Sequence, residues 1–143
     1  MIYKEIDEFS PQIYSEVKSL LGQLTSVEIN FSSENFKTII ENDNSFLLGA
    51  FDENKLVGIL TLIIYQIPTG KNGRIEDVVV DKNYRGKKIG EQLSLMAINK
   101  GKELNLDKMF LTSNPSRIAA NKLYQKIGFL LGKTNSYFYN YKK

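Results

Sequence analysis

The 143-residue sequence contains no cysteine and no histidine. Without thiols there are no disulfides, no thiolate nucleophiles and none of the common zinc sites. Without imidazole there is no Ser–His–Asp arrangement and no histidine general base. An enzyme built from this chain must draw its acid–base groups from Asp, Glu, Tyr, Lys or ordered water, and no metal is expected. No apolar run approaches the roughly 20 residues of a membrane-spanning helix. The opening MIYKEIDEFSPQIYSE has acids where a signal peptide needs an apolar stretch. A cytoplasmic location with no membrane partner is therefore expected.

What is present is the composition of a soluble globular chain, 42% hydrophobic and 24% charged. One domain over 1–143 is expected, large enough to bury a core. The net charge of +3 is a mild basic excess, and its clustering says more than its size. Lys82, Arg85, Lys87 and Lys88 fall in one short stretch, which suits a polyanionic small ligand or a nucleic acid. No recognised nucleic-acid-binding motif accompanies the cluster, so nucleic acid is not expected as a partner.

Along the chain, Ile2–Ile6 suits a short strand, and Ser10 followed by Pro11 starts a helix through about Leu21. Ser32 or Ser33 opens a second helix over Glu34–Ile40. SFLLGAFD and KLVGILTLIIYQI form a hairpin around Glu53-Asn54, and the second run, with little alternation, reads as a strand buried on both faces. PTGKNG (68–73) reads as a loop and RIEDVVVD as a strand. A heavily buried helix follows over Gly90–Leu104, then a strand at KMFLTS. Asn114-Pro115 resembles an N-cap and first-turn proline for a helix over Ser116–Ile127 that Gly128 closes. FLLGK and SYFYNYK form a closing hairpin. The order β-α-α-β-β-β-α-β-α-β-β is that of a mixed α/β sheet flanked by helices.

RGKKIG (85–90) stands at the mouth of the third helix. A helix N-terminus offers unpaired amides and the positive end of its dipole, so Arg85, Gly86, Lys87, Lys88, Ile89 and Gly90 can hold an anion. The stretch is neither a P-loop nor a G-x-G-x-x-G fingerprint. Its surroundings are more specific. IEDVVVDKNYRGKKIG followed by SNPSRIAANKLYQKIGF resembles the GNAT superfamily of N-acetyltransferases, closely over 74–130. The first stretch resembles that family's pyrophosphate signature after its central strand, and the second its downstream helix. Lys88 departs from the pattern by standing where the family has its central glycine. Backbone N–H donation survives that change.

The resemblance implies an α/β fold with a mixed, mostly antiparallel central sheet of six to seven strands and about four helices. It implies acetyl-CoA as cosubstrate and no metal. Val78, Val79 and Val80 would lie along the pantetheine arm, Arg85–Gly90 around the pyrophosphate, and Asn121 and Asn114 near the arm. Tyr124, three residues from Asn121 on one helix face, would be the acid that protonates the leaving thiolate. Glu76 is the first candidate for the base that receives the amine's proton, and Asp77 the second; because neighbouring strand residues face opposite ways, at most one readily faces a given cleft. The acceptor site is expected between Gly22–Phe31 and Lys133–Tyr137, with Glu28, Phe31, Tyr65, Tyr137 and Tyr139 as weaker candidates. The expected activity is acetyl transfer to a primary amine of a small molecule by direct attack on the thioester. A protein lysine or N-terminal amine acceptor, or a non-catalytic acyl-CoA-binding module, stands as the alternative, and a homodimer is compatible with the sequence.

Overall fold

The long Leu/Ile/Val runs become the centre of one sheet in the computed structural model, which describes residues 1–142. The elements are β1 (Ile2–Glu5), α1 (Pro11–Leu24), α2 (Ser33–Glu41), β2 (Ser45–Asp52), β3 (Lys55–Ile67), β4 (Gly70–Val80), α3 (Ile89–Glu103), β5 (Lys108–Phe110) and α4 (Ile118–Lys126), with a 3-10 turn over Lys82–Tyr84. The strands lie in the order β1-β2-β3-β4-β5. All neighbours are antiparallel except β4 and β5, which run parallel. The chain divides into two compact units, Met1–Thr112 and Ser113–Lys143. The first holds the sheet with α1–α3 and the second holds α4. No helix among the described residues is long and apolar enough to cross a membrane.

Local signals fix the helix starts. Ser10 Oγ accepts from the Ile13 amide at 3.1 Å, with Pro11 in the first turn. Ser32 and Asn35 form a reciprocal capping box: Ser32 Oγ accepts from the Asn35 amide at 3.1 Å, and Asn35 Oδ1 accepts from the Ser32 amide at 3.0 Å. Such a cap stabilises a helix by about 1 kcal/mol.

β3 sorts the helices to opposite faces. Ile59 belongs to the core cluster that includes Val17, Leu20 and Leu21 of α1 and Phe36 of α2. Its neighbour Gly58 lies so close to Ile89 and Leu93 of α3 that an added Cβ would stand 3.0 and 3.3 Å from them. Consecutive strand residues face opposite ways, so α1 and α2 cover one face and α3 the other. On the α1/α2 side, Phe36 is completely buried, with the rings of Phe9, Tyr14 and Phe31 5.9–6.1 Å from its own. The Tyr14 hydroxyl donates to the Phe31 carbonyl at 2.7 Å and ties the α1–α2 connection to α1.

Three expectations are corrected. The sheet has five strands among the described residues, not six to seven, because no closing hairpin forms from FLLGK and SYFYNYK. Tyr137, Phe138 and Tyr139 are consecutive aromatics, so neither side of that segment offers the apolar stripe that fixes a register. A two-stranded hairpin alone is marginal in water, and Leu130 and Phe138 stay about 90% exposed (93% and 90%). The proposed 68–73 loop shrinks to a tight turn, since β3 runs to Ile67 and pairs there with Gly70 of β4. The fourth helix starts at Ile118 rather than Ser116, because Asn114 Oδ1 is engaged in a local turn with the Ser116 amide (2.9 Å) and hydroxyl (2.8 Å).

Phe36→Ala removes the largest fully buried ring and is expected to cost about 3–5 kcal/mol, read as a lower urea midpoint. A loss under about 1 kcal/mol would show that α2 is not anchored through this side chain.

Candidate active site

β4 carries an irregularity at its functional end. Thr61 of β3 pairs with Glu76 and Ile59 pairs with Val79, so two residues, Asp77 and Val78, oppose the single Leu60. This is a β-bulge, and Asp77 takes the left-handed conformation (φ 50°), as the first residue of a G1-type bulge does. Directly paired residues share a side of the sheet, as do Ile59 and Thr61, two apart on one strand. Glu76 and Val79 therefore both face the α1/α2 layer although they are three apart. Of the two adjacent acids only Asp77 lines the cavity beneath the α1–α2 connection, and the bulge rather than regular alternation decides which.

The two acids have different surroundings. Glu76 receives the Arg74 guanidinium in a hydrogen-bonded ion pair that remains partly exposed. Asp77 reaches the wall of a cavity of about 280 Å³ beneath the α1–α2 connection. Leu21, Leu24, Ile29, Phe31 and Ile39 contribute its apolar side. Burial, and then the neighbouring Glu76 charge, raises the Asp77 pKa above the usual carboxylate range. Of the expected acceptor-site residues in the first unit, Phe31 lines this cavity and Glu28 and Tyr65 do not; Tyr137 and Tyr139 belong to the second unit.

The valines Val78–Val80 sit where β4 has one free edge. On the β5 side the ladder ends at the Arg74–Phe110 pair, so Ile75–Val80 have no partner strand there among the described residues. An extended ligand with its own donors and acceptors fits such an edge.

β4 then passes into the basic turn. The nearly buried Asp81 accepts from the Asn83 amide at 3.0 Å and organises the 3-10 turn. The Tyr84 hydroxyl donates to Asp52 at 2.8 Å, and the Lys87 ammonium lies 5.0 Å from the Tyr84 ring centre. Arg85 Nε donates back to the Val80 carbonyl at 3.3 Å. α3 makes its first intrahelical bond from the Gln92 amide to the Lys88 carbonyl, so the Ile89 and Gly90 amides precede the ladder. Gly86 has φ 81° and nothing within 4 Å of an added Cβ; at Gly90 an added Cβ would meet only Val80 Cγ2, at 3.9 Å. Packing within the chain does not demand a glycine at 90, and the room left beside these amides suits a phosphate. The residues present therefore fit the polyanionic end of acetyl-CoA.

Lys88 stands at φ 62°, ψ 22°, as the residue before the first turn of α3. That is the left-handed region, which explains why the pattern has glycine there and shows that lysine keeps the backbone path at some cost.

In the second unit, Tyr124 is the buried residue of α4. Burial raises its pKa, opposed in part by Arg117. Its place follows from how the helix stops. The Phe129 amide donates to the Tyr124 carbonyl (2.9 Å) and the Gly128 amide to the Gln125 carbonyl (3.1 Å), with Gly128 at φ 115°. This is a Schellman ending, and its usual apolar contact is present: the Tyr124 and Phe129 rings meet edge to face at 6.0 Å. The side-chain amide of Asn121 donates to the Asn114 carbonyl at 3.0 Å, so these two residues hold one another. The sequence reading missed Ser113, whose buried hydroxyl has no partner among the described residues. Only an orphaned polar atom in three dimensions reveals it.

These elements match known proteins. The model of the acetyltransferase (GNAT) family matches residues 11–129. The chain belongs to the GNAT acetyltransferase family. A curated relative, glucosamine 6-phosphate N-acetyltransferase 1 of Dictyostelium discoideum, is 33% identical over 139 residues, covering 87% of this chain and 80% of its own length. A probable glucosamine 6-phosphate N-acetyltransferase of Drosophila melanogaster is 29% identical over 135 residues, covering 82% of this chain. The chain spans only 57% of that relative's length. The GNAT fold is shared with an aminoglycoside acetyltransferase from an uncultured soil metagenomic sample (TM-score 0.86, 19% identity, 99% of this chain and 96% of that one). It is also shared with glucosamine-6-phosphate N-acetyltransferase of Arabidopsis thaliana (TM-score 0.76, 24% identity, 97% and 99%).

Lys88→Gly is expected to relieve the left-handed strain, about 1–2 kcal/mol, against a glycine entropy cost of about 0.5–1 kcal/mol. The thermal midpoint of this GNAT domain should rise by about 2–4 °C. A fall would show that Lys88 does not hold the left-handed conformation.

Proposed function

We propose that this chain transfers the acetyl group of acetyl-CoA to a primary amine of a small molecule. The observation that carries the proposal is β4 itself. Its free edge over Ile75–Val80 runs from the bulge at Asp77 into the basic turn and the amides of α3, which is the layout a long ligand with a reactive end and a polyanionic end requires. The family and the relatives named for acetylation of an amino sugar support the reaction class.

When bound, acetyl-CoA supplies a thioester whose carbonyl an amine can attack directly. The chain's residues do the rest. Arg85–Gly90 hold the pyrophosphate, chiefly through backbone N–H groups, with Arg85, Lys87 and Lys88 adding charge. The β4 backbone over Val78–Val80 aligns the arm, and an amide near Val79 polarises the thioester oxygen. Asp77 attracts the ammonium and accepts a proton from it, directly or through water. Glu76, already held by Arg74, supports the negative potential at the bulge. Tyr124 is assigned the acid's role on the family pattern; its phenol is protonated at neutral pH and can hydrogen-bond to or protonate a departing thiolate of ordinary pKa about 8.5. Asn121 and Asn114 hold the loop before α4. No covalent enzyme intermediate is needed.

Tyr124→Phe should lower kcat by about 10²-fold while acetyl-CoA still raises the melting temperature. Unchanged turnover would remove Tyr124 as the acid. The Asp77 role has its own signature in pH. Below its raised pKa the carboxyl is protonated and can neither attract nor accept, so kcat/KM should rise with pH through that value. Asp77→Asn should lower kcat/KM more than tenfold and abolish this acid limb, whereas Glu76→Gln should shift the limb downward, because one raising charge is gone. A limb that survives in Asp77→Asn would assign it to another group.

A further inference from the structure

We infer that the acceptor is a primary amine on a small apolar body, an aralkyl or alkyl amine, rather than a phosphorylated amino sugar. This rests on the reading that the cavity at Asp77 is where the acceptor enters. Nine of the thirteen residues around that cavity are aliphatic or phenylalanine side chains, among them Leu21, Leu24, Ile29, Phe31 and Ile39. The polar ones are Thr25, Asn30, Thr61 and Asp77, so the single charged group is an acid and none is Lys or Arg.

The charge pattern discriminates between acceptors. An ammonium gains from Asp77 at the bulge, and the body behind it gains by leaving water against leucine, isoleucine and phenylalanine. A phosphomonoester carries nearly two negative charges into the same space. It would lose hydration, meet no cation on the wall and face a carboxylate. The one arginine on the neighbouring stretch of β4, Arg74, is held by Glu76 and does not line the cavity. The chain's basic cluster is committed to the turn before α3. A space of about 280 Å³ has room for an amine of phenethylamine's size. The relatives' named substrate is thus not the one this cavity recognises, although the transfer chemistry is shared.

The test is thiol release from acetyl-CoA by the full chain with phenethylamine, hexylamine or glucosamine 6-phosphate. The expected kcat/KM for phenethylamine or hexylamine is at least tenfold above that for glucosamine 6-phosphate. Leu24→Lys places a cation at a partly exposed wall position, so folding should persist, and it should lower kcat/KM for phenethylamine at least tenfold. Ile29→Lys, equally exposed, serves as the second variant, and the acetyl-CoA-induced rise in melting temperature reports folding and cofactor binding in each. Glucosamine 6-phosphate preferred over both apolar amines would overturn the inference. So would acetyl-CoA binding with no apolar amine accepted, or folded lysine variants with unchanged kcat/KM. No melting response to acetyl-CoA in the wild type defeats the transferase reading itself, and with it the inference.

Discussion

β3 is apolar on both sides, and everything else in the first unit follows from the need to cover it twice. Leu56, Ile59, Leu60 and Leu62 are all almost inaccessible although their side chains alternate. One layer is supplied by α1 and α2, the other by α3. The alternation of Gly58 and Ile59 is the smallest expression of that division, the first against α3 and the second against α1. Covering both faces also separates two tasks. The α1–α2 side gains a cavity under a connection pinned by Tyr14 and Phe36, while the α3 side gains a helix whose N-terminus closes the turn after β4.

β4 joins the two tasks electrostatically. Its bulge presents a carboxylate toward an apolar space, where a cation is favoured. A few residues on, its exit leads to arginine, lysines and the helix amides, where an anion is favoured. A single strand thus has opposite preferences at two places along its course, and a ligand pair of opposite charge can be sorted without a metal, an imidazole or a thiol. The α3 dipole adds to the second preference, and the ionic environment screens it less where ligand displaces water.

Much of this was legible in the residues. Ser10-Pro11, the Ser32 cap, the doubly buried β3 and the Gly128 stop were visible because each rests on a local rule that neighbouring elements do not override. The turn over Arg85–Gly90 became informative through its place between IEDVVV and LYQKIGF. What stayed hidden depends on register. Glu76 and Asp77 cannot be ranked from sequence, since the bulge that turns Asp77 to the cavity is a relation between β3 and β4. The closing hairpin was a pattern of β-prone residues without a pattern of facing, and it does not form. Asn114 had the composition of a cap but spends its side chain on a turn. Lys88 is a different case: sequence showed the departure from glycine, and only the backbone angles explain it.

The bulge also changes what kind of alteration β4 tolerates. In a regular strand, identity matters at each position and length matters little at the ends. Here the extra residue works as a frame: Glu76 and Val79 share a side because one position between them is not counted in the ladder. Removing either Asp77 or Val78 would restore the regular count: Val79 would still oppose Ile59, but the one residue left between would oppose Leu60 and face the α3 side, so no carboxylate from this position would reach the cavity. The segment is therefore more sensitive to its length than to most of its letters.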